Sequence, residues 1–205
     1  SPSTRCGTTG LRPTFGRVGR SGAMALSWSM DKIGPIARSV EDCALVLDAI
    51  RGEDPGDPTA VDRPFPYRAD TELADLRIGY LDEDFAGDYP GAELDRQALE
   101  ELKAAGAHLV PVSFSLGEYG VENPWDQILI LEAEAGAAFQ ELMLSGRDDL
   151  LVRQRPQDWP NIFRGAQFIP AVEYIQANRA RTRLQTMMYR LFLDIDVLVA
   201  PSLQG

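Results

Sequence analysis

Histidine and cysteine are nearly missing from this chain. Its 205 residues hold one histidine, His108, and two cysteines, Cys6 and Cys43. So few ligands make neither a disulfide framework nor a zinc site, and a reducing cytoplasm is the simpler setting. Both cysteines are expected to be small buried apolar residues. A Ser-His-Asp hydrolase is disfavoured as well: His108 opens an expected strand, and no Gly-x-Ser-x-Gly elbow occurs anywhere. Basic residues are also short, with 20 Lys and Arg against 31 Asp and Glu and a formal charge of −11. That balance offers no footprint for phosphates, so no nucleic-acid partner is expected. No apolar run approaches the ~18–20 residues needed to cross a bilayer, and no basic segment leads into an apolar one, so no membrane partner is expected. The first residue is Ser1 and not methionine, which fits a truncated or processed start.

What is present suits a globular α/β chain. With 44% hydrophobic residues, a single domain of this size buries roughly 70% of its unfolded surface. Ser39-Val40-Glu41-Asp42 reads as a helix N-cap followed by acidic residues. Val40, Cys43, Ala44, Leu47 and Ile50 continue at helical spacing, and Gly52 supplies the stop. Met30 to Ile36 reads as extended, with a sharp change of direction at Gly34-Pro35. Residues 52–75 have no period and read as a long surface loop, functional or mobile. Leu76, Ile78 and Tyr80 alternate as a strand. Leu94, Ala98, Leu102 and Ala105 form a helical stripe ending at Gly106, and Leu109 to Val112 makes a second strand that Pro111 assigns to an edge. Strand, helix and strand at this spacing predict a βαβ unit with parallel strands.

Further on, Pro124 opens an expected long helix closed by Gly146. Trp125, Ile128, Leu131, Ala135, Ala138 and Leu142 share one face, with Glu132, Glu134 and Glu141 nearer solvent. Residues 147–164 read as irregular. Pro170 begins a helix to about Leu193 with Val172, Ile175, Leu184, Met187, Met188 and Leu191 as core candidates, and Ile195 to Ala200 reads as a buried parallel strand.

Candidate chemistry is sparse. Ser29-Met-Asp-Lys32 matches Ser-x-x-Lys, in which a helix would bring the amine to the hydroxyl. Its companion motifs are missing, and Ile33-Gly-Pro implies extended chain, where the lysine faces away. Gly7, Gly10, Gly16, Gly19 and Gly22 form no nucleotide-binding pattern and read as turns and close packing. Asp31 and Arg38 bracket the Ile-Gly-Pro turn and are expected to pair across it.

Two blocks nevertheless carry strong identity. Thr4-Arg-Cys-Gly-Thr-Thr-Gly-Leu-Arg-Pro-Thr-Phe-Gly-Arg-Val18 and Ser27-Trp-Ser-Met-Asp-Lys-Ile-Gly-Pro-Ile-Ala-Arg-Ser-Val-Glu-Asp42 resemble the middle of an amidase signature enzyme. Weaker likeness returns at residues 164–179 and at Asp196 to Ser202. The resemblance implies a mixed twisted sheet covered by helices, of which residues 1–205 are a single partial domain truncated at both ends. It implies hydrolysis of carboxylic amides through an acyl-serine, in which a lysine deprotonates a cis-peptide serine that in turn activates the nucleophile, with Cys6 to Leu11 helping to enforce the cis geometry. In the family the nucleophile precedes a segment like this one by three residues, and the other two groups lie further upstream. No catalytic residue therefore maps onto this chain, which is expected to hydrolyse no amide by itself.

Ser1 matches a position lining the acyl pocket, and Trp125, Asp126 and Gln127 are the remaining substrate-side candidates. Tyr174, Arg179 and Arg164 resemble family positions on the substrate side, or else form an ordinary polar helix face. No cofactor or metal is implied, the partner is a small-molecule amide, and a homodimer stays open. Alternatives are the glutamine-hydrolysing component of a glutaminyl-tRNA amidotransferase and a non-catalytic scaffold of the same fold. The strand at 196–200 is expected to show an unpaired edge or an exposed apolar face.

Overall fold

A computed structural model describes residues 2–113, 116–119 and 126–201. In chain order the elements are α1 (Pro2–Cys6), β1 (Thr9–Gly10), β2 (Ile36–Ala37), α2 (Val40–Ile50), β3 (Arg77–Leu81), α3 (Asp82–Ala86), α4 (Ala92–Ala104), β4 (His108–Val112), α5 (Asp126–Ala138), α6 (Gln140–Leu144), α7 (Trp159–Ala166), α8 (Ala171–Asp194) and β5 (Val197–Val199). They divide into two compact units, one holding residues 68–122 and 182–205, the other residues 2–67 and 123–181.

In the first unit β4, β3 and β5 form a parallel three-stranded sheet in that order. The expected βαβ unit is there: β3 passes through α3 and α4 to β4, and Pro111 lies on an edge strand, where its missing N–H leaves no gap in a ladder. The strand expected from Ile195 to Ala200 is β5, which pairs with β3 alone among the described residues and leaves Val197 exposed, so only Ile195 ahead of it is fully buried. Gly79 leaves no room for a side chain. A Cβ there would lie 2.7 Å from Ile195 Cδ1 and 2.9 Å from Val112 Cγ2. Arg77 closes the sheet end by donating from its amide and Nε to Asp196 Oδ2 at 2.8 and 3.1 Å. The inward face of α4 is shifted from the expected stripe: Ala92 is buried and Leu99 and Leu102 are half-buried, while Leu94 and Ala98 are exposed.

The second unit is mostly helical. Ser39 caps α2 by accepting the Asp42 amide at 3.0 Å, and Cys43, Ala44 and Leu47 form its buried stripe. Val40 and Ile50, at the ends of the same stripe, are exposed because this face covers only the β1–β2 ribbon and its approaches. Cys43 is buried but Cys6 is exposed, since α1 has no buried residue at all. The expected Asp31–Arg38 pair is absent among the described residues; Asp31 Oδ2 instead accepts the amides of Leu26 and Ser27 at 2.9 and 3.0 Å.

The expected long helix breaks at Phe139 into α5 and α6, and Pro124 lies outside the described residues. The buried face of α5 is Ile130, Glu134, Ala135 and Gly136, not the one through Ile128, which is 41% exposed. The reason is the close approach of α7, where a Cβ on Gly136 would meet Ala166 Cβ at 2.5 Å. Phe139 stacks on Phe163 with centroids 4.6 Å apart. Residues 147–164 are thus less irregular than their sequence reads: α7 starts at Trp159, with Pro160 in its first turn, where the lost N–H has no intrahelical acceptor anyway. On α8 the inward positions of this unit are Ala177 and Ala180, whereas Val172 and Ile175 are exposed.

Candidate functional site

The long segment after α2 is not free. Asp57 accepts the Arg20 guanidinium through Nε at 2.8 Å and Nη2 at 3.2 Å, and the same arginine donates to Trp28 O at 2.6 Å and lies 4.5 Å over the Phe15 ring. This fork draws the Asp57 carboxyl well below the usual carboxylate range, with the Thr59 hydroxyl assisting. The loop is thereby fixed to the glycine-spaced segment. Gly16, at φ +77, is required there because a Cβ would reach 2.5 Å from Thr59 O.

Beside this fork is a cavity of about 690 Å³, bordered by Phe15, Trp28, Thr59, Ala133, Ile169 and Ala171 and by a polar group of Ser29, Glu134 and Tyr174. All of these residues belong to the second unit. A tight turn builds the polar group. Ser27 O accepts the amides of Met30 and Asp31, and Asp31 returns the contact at Leu26 and Ser27, so both serine side chains are presented to α5. Glu134, only 7% exposed, accepts four hydrogen bonds: Ser27 Oγ at 2.6 Å, Ser29 N at 3.0 Å, Ser29 Oγ at 2.7 Å and Tyr174 OH at 2.9 Å. Arg181 Nη1 donates to Ser29 Oγ at 2.7 Å, and its Nη2 to Asn178 Oδ1 at 2.7 Å.

Burial by itself would raise the Glu134 pKa, but the donors from Ser27, Ser29 and Tyr174 outweigh it and the carboxyl titrates below its ordinary value. The Tyr174 hydroxyl moves the other way, raised by burial and then by its bond to Glu134. Glu134 is therefore an ionised acceptor and a weak base at neutral pH. It holds Ser29 in place without activating it as a nucleophile.

The Ser29-x-x-Lys32 match makes no catalytic pair. Lys32 Nζ donates to Met30 O at 3.0 Å while Ser29 Oγ is engaged by Glu134 and Arg181, and Ser29 and Met30 lie in a turn rather than in the expected extended chain. Burial, and then the nearby Arg12, lowers the Lys32 pKa. Of the substrate-side candidates, Ser1 and Trp125 lie outside the described residues, and Asp126 and Gln127 are both half-buried in the first turn of α5. Gln127 Nε2 is buried and has no hydrogen-bond partner among the described residues. Tyr174 borders the cavity, whereas Arg179 donates to Gln176 Oε1, and Arg164 forks onto Asp148 and Asp149. His108 is exposed on β4. Among the described residues no group of three or more His, Cys, Asp or Glu is placed to hold a metal, and no helix is long and apolar enough to cross a membrane.

Sequence reasoning missed Glu134 itself, which it assigned to solvent. The available signal was local: this carboxylate stands in Ala133-Glu-Ala-Gly-Ala137, a run of small residues that permits close helix packing and leaves little room for water.

Comparison with known proteins gives the same frame. A family profile described as Amidase matches residues 1–204. An amidase of Pseudomonas putida is 35% identical, over 98% of this chain and 43% of its own length. The GatA-type component of the glutamyl-tRNA(Gln) amidotransferase of Microcystis aeruginosa is 33% identical, over 98% of this chain and 46% of its own. A solved structure described as an unexpected vestigial protein complex, revealing the evolutionary origins of an s-triazine catabolic enzyme, superposes with a TM-score of 0.70. It is 31% identical, covering 98% of this chain and 42% of that one. The chain thus spans less than half the length of the curated relatives it matches. With its signature blocks, its α/β architecture and a family match over residues 1–204, this chain belongs to the amidase family.

Proposed function

We propose that the protein is an amide hydrolase that cleaves a carboxylic C–N bond through an acyl-serine intermediate, and that residues 1–205 are one partial domain of it. The observation that carries this reading is the family match over residues 1–204. The two signature blocks build one wall of the cavity: the first contributes Phe15, and the second contributes Trp28 and Ser29. In this reading the nucleophile, the cis-peptide serine and the lysine correspond to no position of the 205. The glycine-spaced segment and the Arg20–Asp57 fork support the loop that carries the nucleophile, and the Glu134 group fixes the substrate side. Ser1, Trp125, Asp126 and Gln127 are retained as substrate-side positions. Two free cysteines suit a cytoplasmic setting.

The full-length protein is expected to release ammonia from carboxylic amides and, with hydroxylamine present, to yield hydroxamates. The 205 residues alone are expected to do neither. Failure of the full-length protein on a broad panel of amides would refute the reading.

A second reading is favoured by the 33% identity to a glutamyl-tRNA(Gln) amidotransferase component. There glutamine is the ammonia source and partner proteins are needed. Glutaminase activity that appears only on addition of such partners separates it from the first.

A further inference from the structure

Every hydroxyl bordering the cavity is already engaged. Ser29 Oγ gives its proton to Glu134 Oε1 at 2.7 Å, and Tyr174 OH gives its own to the same oxygen at 2.9 Å. Thr59 Oγ1 gives its proton to Asp57 Oδ1 at 2.6 Å and receives Arg20 Nη2 at 2.8 Å. A hydroxyl has one proton to donate, so none of the three can donate to a ligand without breaking an internal bond. The two guanidiniums nearby are held by internal acceptors: Arg20 by Asp57, and Arg181 by Ser29 and Asn178. Glu134 adds a negative charge to the wall. Apart from the indole N–H of Trp28, the remaining side chains of the border offer carbon: the Phe15 ring, the Ile169 side chain and the methyls of Ala133, Ala137, Ala166 and Ala171.

We propose that this cavity receives an uncharged, hydrocarbon-rich group of the amide substrate, aryl or branched alkyl, and rejects amides that bring a carboxylate to it, glutamine among them. The proposal rests on the amide-hydrolase reading and narrows it. An aryl or branched alkyl group entering here leaves water for carbon contacts and demands no donor. A carboxylate would give up its hydration, meet no free hydroxyl and face the Glu134 charge.

The test is equilibrium binding of benzamide and of L-glutamine to the full-length protein by calorimetry, with kcat/KM measured for the same two amides. Saturable benzamide binding is expected, with none for glutamine. Ala133→Leu, which fills the cavity, is expected to weaken benzamide by about tenfold or more, the scale at which a pocket discriminates one or two added carbons. Ala171→Leu, at the exposed start of α8, repeats the test should A133L lose its native circular dichroism. Glutamine binding as tightly as benzamide, or benzamide binding unmoved by both variants, overturns the proposal. Turnover of benzamide that neither variant affects leaves the hydrolase reading intact and removes the cavity assignment. Binding that follows the expected pattern without turnover of any amide supports the cavity assignment and refutes the hydrolase reading.

Discussion

Replacing Glu134 with alanine removes an acceptor that joins the Ser27–Asp31 turn, α5 and α8. Four donors lose their partner at once, at 2.6, 2.7, 2.9 and 3.0 Å. Bonds to a charged acceptor contribute about 1.5–3 kcal/mol each, but they share one carboxylate and do not add. The surviving cost is set by what stays buried. The Ser27 hydroxyl is fully inaccessible, and the Ser29 amide points at the emptied site. Each unsatisfied group costs about 1–3 kcal/mol, so about 3–5 kcal/mol is expected for Glu134→Ala.

Glutamine is the informative companion. Turned so that its oxygen replaces Oε2, it still accepts from Ser27 Oγ and Ser29 N, while its amino group faces two hydroxyls that can rotate to accept. About 1–2 kcal/mol is expected for Glu134→Gln. The pH dependence has a definite sign. Glu134 titrates lower when folded, so its contribution is complete above the unfolded carboxyl value of about 4.3 and is lost as pH falls through the folded pKa. The glutamine variant should lose that part of the acid slope. Urea unfolding of the full-length protein, followed by tryptophan fluorescence between pH 3 and 7, measures both quantities. An alanine variant within about 0.5 kcal/mol of wild type, the range of ordinary surface substitutions, would refute the assignment of Glu134 as a buried hub, as would equal costs for the two variants.

Three further outcomes are expected. Ile130→Ala, at a residue with 0% exposure, should cost about 2–5 kcal/mol in the same unfolding assay, whereas Ile128→Ala on the other side of α5 should cost under about 1 kcal/mol; reversed costs would contradict the observed helix face. Gly16→Ala should destabilise by about 2 kcal/mol or more because strain at φ +77 is joined by a clash with Thr59 O, while Gly22→Ala, at φ +79 in open space, should cost only about 1 kcal/mol, as read from thermal midpoints. Arg77 holds the folded Asp196 carboxyl at about 2, below its unfolded value of about 3.9. Its contribution should be complete above that unfolded value and vanish as pH falls toward 2, so Asp196→Asn should flatten the acid limb, and less so in high salt, since the pair is partly exposed.

The elements legible in the sequence are those set by neighbours in the chain. Ser39 caps α2 as its side chain requires, Pro111 lies on an edge strand, and the helix after Pro170 has the expected extent, although Val172 and Ile175 of its expected stripe are exposed. What was hidden depends on contacts distant in sequence. The inward face of α5 is chosen by α7, through Gly136 against Ala166, so no periodicity within α5 marks Glu134 as buried. The cavity joins Phe15, Thr59, Glu134 and Tyr174, each separated from the next by more than thirty residues, and none belongs to a motif with its own chemistry. Asp31 is similar: its proximity to Arg38 suggested a pair, yet its carboxylate accepts the amides of Leu26 and Ser27. The family, by contrast, was readable at once from two dense signature blocks.

The most direct measurement is the identity of the acylated residue. The full-length protein would be mixed with an amide substrate, quenched in acid during turnover, digested and mapped by mass spectrometry. The account expects the acyl group on a serine that lies outside the 205 residues, with Ser27 and Ser29 unmodified. An acyl group on Ser29, or on any other residue of this chain, would contradict it.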